Sequence, residues 1–587
     1  MTTSTARRTW ILLAGAVGIA AVVSVAQQRF VFGYDNNVFH IPIVLRWADE
    51  PVFANDHVVQ SMKNFTAPFW LLVRFVTNET NVEWVFYLFH VAIRAASLAA
   101  LTWAAANLGV RGLLASVLLP FWFAVVPGLR WETPIGAAQV FNITLSHSDL
   151  VPSVALVGIT LAAQKRYLSA FSTLGAMANI NAFAAAWVGC ALMGVASGDR
   201  SRKTVVRSAV GLAVAAALAL PLAVWIFGVI QEHPVSGAQR ERFLWEYFPN
   251  HSLLLESDLT RVILLGAIAL VGLIGFRLVA QAGEPWARAL VALCLLIVAG
   301  MLLPNLIVSR FLLDLHLLRA AGLVQLLAVV ALTAAAISSL RSSDVAERVG
   351  GLLALCLLAL PALQGMLFSG AVLFRAKRED FLLPVVLTIL VVFVTATTAP
   401  IWPTPVLFTV EIGATAAYFV LKPHMTRWGA PPLNASVAMV ALIVAGVALY
   451  TYRVHRTAIE TPERRDALRV IAWAQANTPP DSVFLVPLRS NFIPDFQSRA
   501  HRQIWVDWKR GGSVMWAPIY YQEWSRRMKE VGDLQDLPAK LAYACQNGIN
   551  YVLTGIDAGN GDLSRKPVYG NDHFQMFDAR RWCDQVK

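Results

Sequence analysis

A chain of 587 residues that is 57% hydrophobic and only 14% charged is too apolar for a water-soluble protein, and its repeated apolar runs of about 20 residues match the thickness of a bilayer core. The formal net charge of +12 raises the question of nucleic acid. However, the basic residues sit in short segments between apolar runs, where membrane orientation puts them, so membrane lipids are expected as surroundings and no nucleic acid as partner.

The first apolar run, near 9–27, follows Arg7-Arg8 and has the look of a signal peptide. It reads as a retained anchor. Further spans are expected near 83–108, 112–128, 150–164, 208–230, 262–280, 289–308, 320–340, 381–398, 404–421 and 433–452. Half-spanning pieces bring the expectation to about 12–14 membrane segments. Basic residues punctuate these runs at Arg111, Lys165-Arg166, Arg200-Arg202-Lys203, Arg277 with Arg288, Arg341 with Arg348, Arg375-Lys377-Arg378, and Lys422 with Arg427. All are assigned to the cytoplasmic side.

Two stretches, 167–197 and 349–373, begin and end beside such clusters, so each is expected to cross an even number of times or to dip in and return. Asn179 and Asn181 in the first, and Pro361, Gln364 and Gly365 in the second, suit a break between short helices. Irregular backbone at that depth needs cover from protein or a wet cavity. The same parity makes 28–82, 129–149, 231–261, 309–319, 399–403 and everything after about 453 extracytoplasmic. Glu411 stands out as a carboxylate inside an apolar run, either functional or hydrogen-bonded within the bundle.

After residue 452 the long apolar runs stop. Thr461-Pro462-Glu463-Arg464-Arg465-Asp466 opens a polar helix, and 482–486, 503–506 and 549–553 read as short strands with helical patterns between them. The chain thus divides into a transmembrane domain, 1–452, with a large first external loop at 28–82, and a small soluble α/β domain, 453–587. Cys190, Cys294 and Cys356 lie in apolar runs as small buried hydrophobes. Cys545 and Cys583 are a pair that an oxidising compartment would join.

One amino-terminal helix, an external loop carrying Asp35, many membrane helices and an external carboxyl-terminal domain together resemble the GT-C superfamily of membrane glycosyltransferases. Val470-Ile471-Ala472-Trp473-Ala474-Gln475-Ala476-Asn477-Thr478-Pro479-Pro480-Asp481 is similar to the W-x-x-x-N-T-P-x-D/N helix end that opens the soluble domain of oligosaccharyltransferase catalytic subunits and their bacterial relatives. The stretch from Phe492 to Lys509, with Ser498-Arg499 and Val506-Asp507-Trp508-Lys509, resembles a group of bacterial membrane proteins of this type. The chain has no Trp-Trp-Asp-Tyr-Gly motif, which argues against a peptide acceptor. The resemblance implies a multi-pass protein of a bacterial inner (plasma) membrane. It also implies a polyprenyl-phosphate-linked sugar donor and a glycan, lipid or protein acceptor in the envelope.

Inverting transfer from a lipid phosphate requires a base for the acceptor hydroxyl proton, and cationic groups or a divalent cation for the leaving phosphate. Asp35, in Gly33-Tyr34-Asp35-Asn36-Asn37-Val38-Phe39-His40, suits the base by position, or else is a helix cap or loop carboxylate. Asp56 with His57 offers a second carboxylate or a metal ligand, or else an ordinary turn and helix start. His40 lies five residues beyond Asp35, on the same side if the segment is helical. For the phosphate, Arg310 and Arg319 flank Asp314 and His316 at the external surface; the alternative is that Arg319 pairs with Asp314. Glu132, His147, Asp149, Arg240, Glu241, Arg242 and Glu246 are secondary candidates. Asn64, Asn78 and Asn142 match the glycosylation triplet, a common chance pattern. A lipid or glycan transporter or flippase is the second reading, although no convincing internal repeat is present. A noncatalytic scaffold of envelope assembly is the third.

Overall fold

The computed structural model describes residues 3–232, 235–252, 259–360, 363–378, 405–425, 438, 441–442, 444–449, 461–489, 493–556 and 566–586. The expected span at 381–398, the loop at 399–403, most of 433–452 and Pro361 lie outside the described residues.

Helix α1 (Thr3–Gln28) leads into a compact loop built from three short helices, α2 (Asn37–Leu45), α3 (His57–Ser61) and α4 (Pro68–Arg74), with three-residue 3-10 turns between them. Then come α5 (Val82–Asn107), α6 (Leu113–Val125) and α7 (Val151–Ala163). A helix of 26 residues such as α5 is about 39 Å long, more than the bilayer's apolar core. Helix α1 belongs to the bundle: Arg94 of α5 donates to Ser24 Oγ at 2.8 Å and Gln28 Oε1 at 2.6 Å.

The stretch 167–197 is a pair of short helices, α8 (Tyr167–Ile180) and α9 (Ala182–Ala196). Asn181 makes the break. Its side chain caps α9 by accepting from Ala184 N at 3.1 Å and donates to Ser148 Oγ in the loop before α7. The chain then runs through α10 (Arg202–Glu232), α11 (Gly237–Tyr247), α12 (Pro249–Ser252), α13 (Leu259–Leu278), α14 (Glu284–Leu306), α15 (Arg310–Asp314) and α16 (Ala321–Leu340). Next come α17 (Val345–Ala359) and α18 (Gln364–Lys377), the second pair of short helices. Both expected breaks therefore fall where the basic clusters required them. Pro405–Met425 is helical, with Glu411 buried beside Gly365 of α18. Six helices among the described residues are long and apolar enough to cross a membrane, and shorter apolar helices accompany them.

Residues after 461 form a five-stranded sheet flanked by helices. β1 (Val483–Leu485) lies parallel to β2 (Gln503–Ile504) and β3 (Tyr551–Gly555). β4 (Tyr569–Gly570) and β5 (Phe574–Asp578), neither of them expected from the sequence, continue the sheet antiparallel in the order β2-β1-β3-β5-β4. Thr461 caps the helix Pro462–Asn477, as its Ser/Thr-then-Pro start predicts. That helix buries Ala467, Val470 and Ile471 against Phe484, Leu553 and Met576 on one sheet face. The other face joins a core that includes Val38, Phe39, Val58, Phe243 and Leu313, so the first loop, α11 and α15 all pack on the sheet region. Each such side chain contributes about 1.5–3 kcal/mol when fully buried. Cys545 and Cys583 form a disulfide with Cα atoms 5.5 Å apart, and Cys190, Cys294 and Cys356 are free thiols.

Candidate active site

The turn after α1 is forced into an unusual path. Gly33 has φ +83°, a conformation that favours glycine, and a Cβ there would press on Asp495 Cβ at 3.2 Å and Ser498 Oγ at 3.3 Å. Asp35 follows with φ 52° in the left-handed region that Asp and Asn tolerate best. Residues from the far end of the chain hold this turn in place. Arg499 donates to Phe32 O at 2.8 Å and Ser498 to Gly33 O at 3.4 Å. Buried Asp495 anchors Arg499 and receives both terminal nitrogens of Arg464 at 2.7 and 2.6 Å. Asn37 donates to Leu145 O at 2.8 Å, tying the start of α2 to the second loop.

Thus positioned, the Asp35 carboxylate forms an ion pair with Lys509, whose chain position is 474 residues away. Neither end is sealed: side-chain exposure is 46% for Asp35 and 25% for Lys509. Asp35 does not cap α2, whose cap residue is Asn36 without a side-chain bond.

Arg319 comes within electrostatic reach of Asp35 from a separate element. His316 takes φ 44° and starts a 3-10 turn, Leu317–Ala320, that redirects the chain after α15. Gly136, at φ +78°, lies so close that a Cβ would sit 2.2 Å from Leu318 O and 2.9 Å from Arg319 N. The glycine lets the Glu132 loop cross directly over the backbone of Arg319. The Arg319 guanidinium lies within electrostatic reach of Asp35 and Glu132. Among the described residues it makes no ion pair or side-chain hydrogen bond. Glu132 has its pKa raised by desolvation, opposed by Arg261 and Arg319 and reinforced by Asp35. His251 is pushed down to about 3, by burial first and then by Arg319 and Lys509, with Asp35 working the other way. It is a neutral imidazole at physiological pH, and its ring centroid lies 6.1 Å from that of His316.

His40 stands behind this cluster. Its ring stacks on Trp70 at 3.9 Å and meets His147 edge-on at 5.6 Å. Burial, then His147 and Lys509, hold its pKa well below the ordinary value. Asp149 caps the turn before α7 through Ser146 N at 3.0 Å and takes a hydrogen bond from Asn142. It lies within electrostatic range of Asp35.

The other candidates lie elsewhere. Asp56, expected as a second catalytic carboxylate, is a buried structural post. One oxygen caps α3 through Val58 N and Val59 N at 3.0 and 3.1 Å, and the other accepts from Gln497 at 2.8 Å and pairs with Arg510 at 3.3 Å. With its lone pairs occupied and the site closed to solvent, it has no capacity left for an acceptor proton. His57 projects outward against Tyr520 at 5.8 Å. The alternative pairing of Arg319 with Asp314 does not occur: Asp314 binds Arg240 at 2.5 Å and Arg310 at 3.3 Å. Arg240 also donates to Val514 O, so this trio joins α11 and α15 to the sheet region, and Arg310 is engaged there. Arg242 and Glu246 pair with each other at 2.9 Å. No group of three or more His, Cys, Asp or Glu side chains among the described residues is arranged to hold a metal ion. The cationic side chains within electrostatic reach of Asp35 include Lys509 and Arg319.

A family model described as a domain of unknown function, DUF6798, matches residues 465–531, which contain Asp495, Arg499 and Lys509. No curated protein matches the chain. Among solved structures, the chain is similar at 12% identity to the crystal structure of ArnT from Cupriavidus metallidurans bound to undecaprenyl phosphate. That likeness covers 97% of this chain and 98% of that one, with a TM-score of 0.44.

Proposed function

We propose that the protein is a membrane glycosyltransferase that moves a sugar from a polyprenyl-phosphate-linked donor to an envelope acceptor, at the extracytoplasmic membrane surface. The observation that carries this reading is one open carboxylate, Asp35, paired with Lys509 and within electrostatic reach of a second cation from a separate element, Arg319. A base beside phosphate-binding groups is what transfer from a lipid phosphate needs.

In the proposed reaction Asp35 takes the proton of the acceptor hydroxyl. The acceptor oxygen bonds to the anomeric carbon, and the bond from that carbon to the phosphate oxygen breaks with its electron pair going to the phosphate. Arg319 meets the growing negative charge with a planar fork of donors. Lys509 neutralises Asp35 in the free protein. A donor phosphate offers it a second anion, and its transfer to that anion leaves Asp35 as the base. Neutral His251 accepts or donates a hydrogen bond to sugar hydroxyls without adding charge.

The sidedness has its own support. Arg341 donates to Gly109 O and Arg111 O, and Lys422 to Arg375 O, so basic residues at the ends of separate helices meet, consistent with a shared cytoplasmic location for those ends. The disulfide of the sheet region fits an oxidising compartment on the other side. The test uses purified full-length protein and a panel of polyprenyl-phosphate sugars, following release of polyprenyl phosphate. Arg319→Ala should weaken donor binding, while Arg310→Ala should leave it largely intact. Donor binding that depends on Arg310 and ignores Arg319 would refute the assignment.

A further inference from the structure

A second feature lies at the other end of the bundle. Leu259–Leu278 starts near the candidate site, where Arg261 faces Glu132, so its last turn carries Arg277 to the opposite membrane boundary. A 3-10 turn, Ala280–Gly283, sends the chain straight back into α14. Gly283 makes this hairpin tight, because a Cβ there would be 1.9 Å from Phe276 O.

Between the hairpin and α9 lies a cavity of about 620 Å³, within the range of small-molecule and lipid sites. Its mouth carries Arg277, Gln281 and Arg288, and its walls are Leu273, Val291 and Leu295. Arg288 packs against Gly198 at the end of α9 and pairs with Glu284 at 2.5 Å, while its Nε is buried without a hydrogen-bond partner. Arg277 is exposed and has no ion pair among the described residues. One net positive charge therefore remains at the mouth. Seven residues separate Arg288 from Leu295, which carries the wall about 10 Å toward the bilayer centre. Val291 and Leu295 are 43% and 65% exposed, open to acyl chains. A charged mouth over an apolar wall matches an amphiphile with an anionic head, and basic pockets between membrane helices are suited to such heads.

We propose that this groove binds one anionic glycerophospholipid of the leaflet opposite the sheet region. Its phosphate sits at Arg277 and Arg288, and an acyl chain lies along Leu273, Val291 and Leu295. The excess positive charge favours an anionic over a zwitterionic head, and the apolar wall favours a lipid over a free phosphate.

Native mass spectrometry of the full-length protein in detergent, titrated separately with phosphatidylglycerol, phosphatidylcholine and glycerol 3-phosphate, tests this. Phosphatidylglycerol should be retained at one copy, with the other two several-fold weaker. Arg277→Gln, which breaks no ion pair or hydrogen bond among the described residues, should weaken phosphatidylglycerol about fivefold. Val291→Trp should weaken it by filling the wall. Equal retention of the two phospholipids, glycerol 3-phosphate binding as well as the lipid, or unchanged affinity in both variants would overturn the proposal.

Discussion

Replacing Lys509 with glutamine separates the structural from the chemical part of the Asp35 ion pair. Both partners are partly exposed, at 25% and 46%, so the pair adds at most about 1 kcal/mol to folding. For a chain of this size that is about 2 °C in Tm or less. As a contact to a leaving phosphate, the same ammonium would supply a charge-assisted bond worth about 1.5–3 kcal/mol, or roughly 10- to 150-fold in kcat/KM. The two readings therefore differ by an order of magnitude in activity at nearly constant stability. Thermal unfolding in detergent and single-turnover transfer from a polyprenyl-phosphate sugar measure the two quantities on one preparation. Wild-type turnover in Lys509→Gln would refute the phosphate role. A large drop in Tm matched by the activity loss would show that the lysine merely holds the first loop to the sheet region.

Asp56→Ala should destabilise by about 1–3 kcal/mol, because it removes the cap of α3 and the nearer of the two carboxylates beside buried Arg510, which keeps Asp507; activity per folded molecule should persist, and both follow from unfolding curves alongside the transfer assay. Gly136→Ala should displace the backbone at Leu318 and Arg319 and lower donor affinity at least tenfold, read by equilibrium binding of polyprenyl phosphate. Cys545 and Cys583 should resist alkylation under nonreducing denaturation, whereas Cys190, Cys294 and Cys356 should react; labelling at all five positions would contradict the disulfide.

The six long apolar helices are legible in the sequence because a single property, about 20 apolar residues in a row, defines them, whereas the runs at 112–128 and 150–164 fold as helices of only 13 residues. Even the α8–α9 break follows from two basic clusters that require an even number of crossings and from an asparagine able to cap a helix. Asp35 is visible because a carboxylate directly after an anchor is out of the ordinary. Its partner is not: Lys509 lies 474 residues away, and nothing local in Val506-Asp507-Trp508-Lys509 announces the contact. Arg310 and Arg319 look equivalent in one dimension, and only the left-handed turn at His316 decides which of them meets Glu132 and Asp35. Asp56 illustrates the opposite problem, since Asn-Asp-His has the same local signature whether the carboxylate performs chemistry or caps a helix. His251 escaped notice as one polar residue in a polar loop, and its place beside Arg319 and Lys509 depends on the tertiary fold. β4 and β5 have no clear local signature, because β4 is only two residues long and β5 pairs with it and with β3 through contacts the local pattern does not encode.

The most direct test is transfer by purified Asp35→Asn protein, assayed with a polyprenyl-phosphate sugar against the wild type. Asparagine keeps the size and polarity of the side chain and removes the proton acceptor. Binding of the lipid phosphate and the Tm should therefore stay close to wild type, while turnover falls by roughly 10² or more. Full turnover in Asp35→Asn would contradict the central claim and return the protein to the transporter or scaffold readings.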